Sequence, residues 1–443
     1  MQQMIEKIKQ KVHSGELFRV NFNTTPVDYE MNQLKSINME ETEGWALRVI
    51  HDGKIGFSSS TSQNQIDGMI EKALEVAQFG QVAQFDFPGQ SIITNDQKIK
   101  LYDEAVKEKS IKNMIETGNE IVKRLLSINS DLRCDTGISK QDGCIQYGNT
   151  NGASFHYKKT MLSNTIMVQD TKENDMMMLM ESLHWGHADL SLQPLWERLE
   201  RKINWSKKIV SIESGSMPVI FTPKALMVLI LPFISGLNGR IVNKKISPLQ
   251  DKKGELLCSP LFSMYSDGTI DYAGASAPYD DEGIAMQRLP LIEKGILKNY
   301  YYDLQNAAEA GAKPTGNGIR SGFHSSPSPG VSNLIVPEGN TSLNEMIKDI
   351  KEGIIVDQVL GLGQGNVLSG AFSNNVQLGF KIENGKIVGR IKNVMIAGNA
   401  FEVLKNVVAV GDQARWVSGQ YCFPHIYLKS LSVSTKQSIK DLS

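Results

Sequence analysis

Apolar side chains recur at helical spacing twice in the first third of the chain, over residues 66–77 and 111–126. Ser62 and Gln65 precede the first run in the arrangement of a capping box, and Gly80 follows it. Both segments are therefore predicted to be amphipathic helices that bury one face against a core.

Strand patterns surround these two helices. Residues 46–58 are predicted to form a hairpin, because the Asp-Gly dipeptide at 52–53 suits a turn with positive φ. Residues 132–183 alternate in part between apolar and polar side chains, with turns predicted at Asp-Gly 142–143 and Asn-Gly 151–152. This region is predicted to be an antiparallel sheet.

The second half of the chain shows more strand signals than helix signals. Hairpin turns are predicted at residues 293–295 and 383–385, each of which ends in glycine. Three helices are also predicted: a surface helix at 194–208, a buried helix in the apolar run 225–234, and a helix at 342–352.

Because helices and strands do not alternate regularly, the pattern favours an α+β fold over a doubly wound parallel sheet. The chain has 443 residues, which is long for one hydrophobic core. The short polar stretch 211–217 is the predicted boundary. We therefore expect an N-terminal α/β domain with an antiparallel sheet and helices at 1–212, and a strand-rich C-terminal domain at 213–443.

Composition and charge exclude several classes of protein. The formal net charge is −1, so the chain lacks the basic excess that nucleic-acid binding requires. The four cysteines are scattered without a C-x-x-C pair, as expected of free thiols in a reducing compartment. The longest apolar run is about half of the roughly 20 residues that a membrane span needs, and the N-terminus lacks the apolar core of a signal peptide. We expect a cytoplasmic protein that binds neither nucleic acid nor membrane.

Two short motifs could bind a metal. His184 and His187 are three residues apart, and Cys422 and His425 have the same spacing. If both pairs met in space, they would form a four-ligand zinc site. The alternative, which the sequence favours, is that the first pair ends a strand and the second lies in a half-buried strand.

Two glycine-rich segments are candidates for a substrate groove. The first contains Thr315, Gly316, Asn317 and Gly318, and the second contains Gly363 and Gly365. Neither has the sequence context of a phosphate-binding loop. Glycine instead permits tight turns or the close approach of a peptide backbone.

Asp280, Asp281 and Glu282 place three carboxylates in a row. They could bind a cation or transfer protons, but no partner base or metal ligand stands at a recognised spacing. A solvated loop is the simpler interpretation, and it is the one that we expect.

The second half resembles the TldD/PmbA family, also described as modulators of DNA gyrase. The matching segments are, in chain order, MPVIFTPKA, PYDDEGI, PLIEKGILKNYYYD, PTGNG, LGLGQGNVLSGAFS, ENGKIVG and NVMIAGNAFEVLKNVVAVGD. The first half fits the family more weakly. The resemblance implies a cytosolic protein that acts in the maturation or degradation of peptides and small proteins.

The resemblance also implies which branch of the family the chain fits. TldD-like members carry a zinc-peptidase motif, His-Glu followed by three residues and His, whereas PmbA-like members, also called TldE, lack it and pair with a TldD-like subunit. In this chain Leu231 and Gly236 stand where the histidines would be, and Pro232 stands at the glutamate. Leucine and glycine side chains offer zinc no lone pair, and proline cannot activate a water molecule.

The favoured hypothesis is a non-catalytic PmbA/TldE-like subunit of a TldD/TldE-type zinc metallopeptidase that acts on peptides or unfolded small proteins. Zinc is then expected in the TldD-like partner of a hetero-oligomer, with a homodimer as the assembly of the chain alone. One alternative is an autonomous metallopeptidase that uses the displaced ligands His184, His187, Cys422 and His425. The other is a non-enzymatic regulatory protein that binds gyrase.

Overall fold

A computed structural model of the chain describes residues 1–89, 99–173, 175–189 and 191–435. The protein is α+β, as the sequence pattern predicts. Its helices are α1 Gln2–Lys11, α2 Ile66–Ala77, α3 Glu104–Lys107, α4 Ile111–Ile128, α5 Gln193–Ser206, α6 Met227–Leu237, α7 Gly239–Asn243, α8 Leu304–Glu309, α9 Leu343–Asp349 and α10 Ala400–Val403.

The strands of the first half are β1 Ser14–Glu30, β2 Gln33–Ile37, β3 Glu40–His51, β4 Lys54–Ser60, β5 Arg133–Asn149, β6 Ser154–Lys172 and β7 Asp175–Trp185. The later strands are β8 Ile209–Val210, β9 Gly215–Phe221, β10 Met264–Asp267, β11 Arg288–Glu293, β12 Ile296–Leu297, β13 Gly318–Ile319, β14 Ser328–Pro329, β15 Asn333–Ile335, β16 Glu352–Val359, β17 Ala371–Glu383, β18 Lys386–Ile391, β19 Val394–Asn399, β20 Val407–Val410, β21 Arg415–Val417, β22 Tyr421–Phe423 and β23 Ile426–Thr435.

The first seven strands form one antiparallel sheet in the order β4-β3-β1-β5-β6-β7, with β2 paired to β1. The predicted turn at 52–53 is confirmed, because Asp52 and Gly53 have φ values of 48° and 74°. The turn at 151–152 is also confirmed, with Gly152 at φ 95° between β5 and β6.

The predicted turn at 142–143 is wrong. Gly143 lies inside β5, where it pairs with Phe22 of β1 and Lys159 of β6. A Cβ atom there would lie 2.2 Å from the Asn21 carbonyl oxygen. This glycine therefore permits close approach of two strands rather than a reversal of the chain.

An eight-stranded sheet dominates the second half, in the order β16-β9-β23-β19-β17-β18-β8 with β20 paired to β23. Because β16 also pairs with β17, five of these strands close into a ring. The hairpin turns at 293–295 and 383–385 are confirmed, since Lys294, Gly295, Asn384 and Gly385 all have positive φ. A further sheet runs in the order β12-β11-β10-β15-β22-β21.

The predicted helices are present, with three corrections. The capping box predicted at Ser62 and Gln65 is wrong, because Ser62 accepts from the Asn64 amide in a short 3₁₀ turn and the Gln65 side chain accepts from the Ser60 hydroxyl instead. Helix α5 is not simply a surface helix, because Leu195, Trp196 and Leu199 bury one of its faces. The helix predicted at 342–352 ends at Asp349, since Ile350 is already extended and leads into β16. Helix α6 is buried, as its apolar sequence predicts.

Two large apolar clusters form the core. One combines the apolar side chains of α6 with side chains from both the eight-stranded sheet and the sheet that contains β10, β11 and β15. The other joins Val168 and Leu179 of the first sheet to Ile355 and Phe380 of the second, so both halves of the chain share a core. The domain boundary at 212–213 stays a prediction. Among the described residues, no helix is both long and apolar enough to cross a membrane.

Candidate functional site

Helix α6 carries the three positions at which the resemblance places the metallopeptidase motif. Leu231 is half-buried, whereas Pro232 and Gly236 are buried. Pro232 lies inside the helix and has no amide hydrogen, so it cannot donate to the carbonyl of Val228 one turn earlier. None of these residues can ligate zinc, and the side chains present do not fit a metal here.

A cavity of about 620 Å³ opens beside α6, and we call it the α6 cleft. It lies between the helix, the glycine-rich loop that follows β16, and the first residues of β17. Its lining residues are Val228, Leu231, Pro232, Leu360, Gly361, Leu362, Gly363, Gln364, Gly365, Asn366, Val367, Ser369, Ala371, Phe372, Ser373, Asn374 and Asn375.

The glycine-rich loop depends on glycine for its backbone conformation. Gly361, Gly363 and Gly365 have φ values of 73°, 76° and 86°, which side chains rarely adopt. A Cβ atom on Gly363 would lie only 3.3 Å from Cδ2 of Leu231. The structure thus brings two candidate groove residues, Gly363 and Gly365, beside two of the motif positions.

Hydrogen bonds hold both ends of this loop. The Leu360 amide donates to the Asn375 carbonyl at 2.9 Å, and the Asn374 side chain donates back to the Leu360 carbonyl at 2.9 Å. At the other end, the Asn399 side chain donates to the Ser369 carbonyl at 2.9 Å. These hydrogen bonds fix the loop that forms one wall of the α6 cleft.

The chemistry of the α6 cleft is that of a binding surface. Its lining combines apolar side chains with amides and hydroxyls, including Gln364, Asn366 and Ser373, and it contains no ionisable side chain. Amides and hydroxyls can hydrogen-bond a peptide backbone, but general acid–base catalysis needs a titratable group near neutral pH. Sequence reasoning missed these polar residues, although their position within and after the glycine-rich loop was a usable signal.

Gly236 lies outside this lining. A Cβ atom there would lie 3.0 Å from Leu249, and the Gly236 carbonyl accepts a hydrogen bond from the Ser247 hydroxyl at 2.5 Å. A larger side chain at this position would therefore require the Leu249 side chain to shift by a few tenths of an ångström.

The other candidate groove segment, Thr315–Gly318, lies elsewhere and is tied into the interior. The Thr315 hydroxyl donates to the Tyr302 carbonyl at 3.0 Å, and Asn317 is buried and donates to the Gly330 carbonyl at 2.8 Å. Gly316 has φ 73°. The Gly318 amide donates to Asp280 at 2.8 Å.

The solvated loop expected at Asp280–Glu282 is wrong. Asp280 and Glu282 are buried, and Glu282 forms an ion pair with Arg48 at 2.7 Å. Arg48 also contacts Glu16 at 2.8 Å, and Arg320 contacts Glu16 at 2.7 Å. These ion pairs join the first sheet to the second half of the chain, and buried charges require such partners.

Carboxyl groups outnumber arginines in this cluster. Burial is the main cause that raises the pKa of Glu282 to about 7. The nearby Arg48 guanidinium lowers this pKa, whereas the Asp303 and Glu16 carboxylates raise it further. Burial also raises the pKa of Asp280 well above its ordinary value.

This shift predicts a stability that falls as the pH rises from about 4.5 to about 7, because the folded protein holds a proton on Glu282 that the unfolded chain releases. We expect a loss of roughly 1–3 kcal/mol over this range, measured by urea unfolding. The variant Glu282→Gln should reduce the slope, with the remainder due to Asp280, whereas Glu43→Gln in the partly exposed Arg19 pair should keep it. An unchanged slope in Glu282→Gln would contradict the assignment.

The four candidate metal ligands do not form one site. His187 packs against Trp185 and Tyr272, and Cys422 lies opposite Trp416 in the β21–β22 pair. Burial raises the pKa of the Cys422 thiol to about 12. Across the part of the chain that the structure describes, no three His, Cys, Asp or Glu side chains are grouped to hold a metal.

His184 and His425 likewise occupy separate places. His184 is half-buried at the end of β7, where its Cβ lies 2.9 Å from the position of a Cβ on Gly419. His425 is buried, and burial together with the nearby Arg415 guanidinium lowers its pKa well below the usual value.

Comparison with known proteins gives two family matches. Residues 214–435 match the PmbA/TldA metallopeptidase C-terminal domain, and residues 15–77 match PmbA/TldA metallopeptidase domain 1. A metalloprotease TldD homolog of Buchnera aphidicola is 35% identical over 49% of this chain and 47% of its own length. A metalloprotease PmbA homolog of Haemophilus influenzae is 26% identical over 85% of this chain and 82% of its own.

The fold is also found in solved structures. TldE from Thermococcus kodakarensis superposes with a TM-score of 0.90 at 21% identity, covering 98% of this chain and 99% of that one. A Thermotoga maritima protein described as a modulator of a DNA gyrase superposes with a TM-score of 0.88 at 21% identity, covering 98% and 100%. The C-terminal match covers half of the chain, and the chain belongs to the TldD/PmbA metallopeptidase family.

Proposed function

We propose that this chain is the PmbA/TldE-like, non-catalytic subunit of a cytoplasmic TldD/TldE-type zinc metallopeptidase, and that it binds peptide in the α6 cleft. The observation that carries the proposal is the cleft itself. It lies beside two of the three motif positions, Leu231 and Pro232, and no ionisable side chain lines it. Zinc then belongs to the TldD-like partner.

The shape and chemistry of the cleft suit an extended peptide. The first five residues of β17 line the cavity, and among them Ser373 and Asn375 are exposed polar side chains. Amide and hydroxyl groups can pair with backbone groups of any sequence, and the apolar side chains of Leu231 and Leu362 can contact alternate side chains of the peptide. Such a site binds many peptides without acting on them.

The test is a reconstitution. The chain is purified from its native cytosol with whatever TldD-like subunit accompanies it, and peptidase activity and zinc content are measured for each subunit and for the complex. We expect activity and about one zinc per complex, and neither property in this chain alone. Peptidase activity of the lone chain would contradict the proposal, and so would stoichiometric zinc that is lost in Cys422→Ala.

Assembly is tested in the same preparation. The proposal predicts a hetero-oligomer in the presence of the TldD-like subunit and a homodimer for this chain alone, as measured by light scattering. A stable complex with gyrase in the absence of a TldD-like chain would favour a regulatory protein instead.

A further inference from the structure

A small cavity of about 50 Å³ lies where β7 and α5 meet the eight-stranded sheet, and we call it the basic cavity. It is several times larger than the ~10–15 Å³ that one water molecule needs. Its lining residues are Glu181, Ser182, Arg198, Arg201, Lys202, Trp205, Thr222, Pro223, Lys224, Leu343, Ile355, Asp357, Phe380, Arg415, Trp416, Val417 and His425.

The charges that line the basic cavity do not balance. Its cationic side chains are Arg198, Arg201, Lys202, Lys224 and Arg415, and its carboxylates are Glu181 and Asp357. Five cations against two carboxylates leave three positive charges, because the lowered pKa of His425 keeps that ring neutral. An unbalanced charge is costly away from bulk water, so this excess calls for a counterion.

Both carboxylates are already paired. Glu181 contacts Arg198 at 2.7 Å and Lys202 at 2.5 Å. Lys202 also contacts Asp357 at 2.6 Å. Lys224 donates only to neutral acceptors, the Met180 carbonyl and the Gln358 side chain. The three unbalanced cations are therefore Lys224, whose ammonium group is held by these neutral acceptors, and the two arginines Arg201 and Arg415.

These two arginines have no anionic partner among the residues that the structure describes. The Nε atom of Arg201 is buried without a hydrogen bond, and its guanidinium lies 5.4 Å from the centre of the Trp205 ring. Burial, followed by the charges of Arg198 and Arg201, lowers the pKa of Arg415 to about 10. The positive charges of these arginines repel one another, so an anion bound between them would be stabilised.

We propose that the basic cavity binds one small oxyanion, a phosphate or a carboxylate group, between the guanidinium groups of Arg201 and Arg415. A planar guanidinium donates parallel hydrogen bonds to two oxygens of such a group. The volume admits a single group of this size, and the Trp205 and Trp416 rings contribute to its wall. This site is independent of the α6 cleft and does not rest on the function proposed above.

Calorimetric titration of the purified full chain tests the site, with three probes at constant ionic strength. The probes are inorganic phosphate, an acetylated dipeptide with a free C-terminal carboxylate, and the same dipeptide with an amidated C-terminus. Binding of phosphate identifies a free oxyanion as the ligand, and binding of only the carboxylate dipeptide identifies a peptide terminus. We expect the amidated dipeptide not to bind. Binding of neither anion would overturn the proposal.

Variants locate the site within the chain. Arg201→Gln and Arg415→Gln should each weaken binding at least about tenfold, since each removes charge-assisted hydrogen bonds. Arg133→Gln is the matched control, because Arg133 is exposed on β5 and does not line the cavity. Anion binding that survives both cavity substitutions unchanged would show that the anion binds elsewhere.

Thermal unfolding in an anion-poor buffer is a second test, because it distinguishes an anion-binding role of Arg415 from a purely structural one. Removing one unpaired cation from this cluster relieves repulsion, so Arg415→Gln should unfold at the same or a higher temperature than the parent chain. The rise in unfolding temperature that phosphate or the carboxylate dipeptide causes in the parent chain should be lost in this variant. A lower unfolding temperature with the anion response retained would overturn the proposal.

Discussion

Replacing Arg48 with methionine is expected to lower the free energy of unfolding by about 3–5 kcal/mol. Arg48 contacts Glu282 at 2.7 Å and Glu16 at 2.8 Å, and its side chain is only 3% exposed. Methionine fills a similar volume but leaves both carboxylates without this cation. Glu16 keeps Arg320, whereas Glu282 keeps no arginine partner.

The control for this variant is Arg19→Met. Arg19 contacts Glu43 at 2.8 Å, but both side chains are partly exposed, at 24% and 33%. A pair in contact with water contributes about 0–1 kcal/mol, so the control should unfold at nearly the parent denaturant concentration. The free energy of unfolding of both variants is measured with urea at pH 8. Equal decreases in the two variants would contradict the prediction that the buried ion pairs of Arg48 stabilise the fold more than the partly exposed pair of Arg19.

Replacing Ser373 with tryptophan is expected to reduce the peptidase activity of the reconstituted complex by roughly tenfold or more. Ser373 is exposed on β17 and lines the α6 cleft, so an indole there takes the space that a peptide would use. Misplacement of a substrate by about 1 Å can cost about 100-fold in rate. Tryptophan is favoured in strands, so the fold should be retained.

The matched control is Ser434→Trp. Ser434 is exposed on β23 of the same sheet, pairs with Met395, and does not line the cleft. The complex that contains Ser434→Trp should be as active as the parent complex, and the circular dichroism spectra of the two variants should be the same. Full activity in Ser373→Trp would mean that peptides do not use the α6 cleft.

Local chemistry was enough to predict many elements of the fold. The turns at 52–53 and 383–385 follow from residues that tolerate positive φ, and α2, α4 and α6 follow from apolar spacing within one segment. The same reasoning failed at Gly143, whose role depends on the strands that flank it on both sides.

The candidate site divides in the same way. The sequence alone identifies Leu231, Pro232 and Gly236 as residues that cannot bind zinc, because that property belongs to the side chain itself. It could not predict that Gly363 lies against Leu231, that Thr315–Gly318 lies in the interior, or that polar residues of β17 line the cavity.

The sequence by itself determined the fold class, most helices and hairpins, and the loss of the zinc motif. Only the tertiary structure decided that Glu282 is buried beside Arg48, that Glu16 meets Arg320 from 304 residues away, and that Arg201 and Arg415 share a cavity. Backbone preference depends on neighbours in the chain. Burial, ionisation and pairing depend on which distant segments exclude water together.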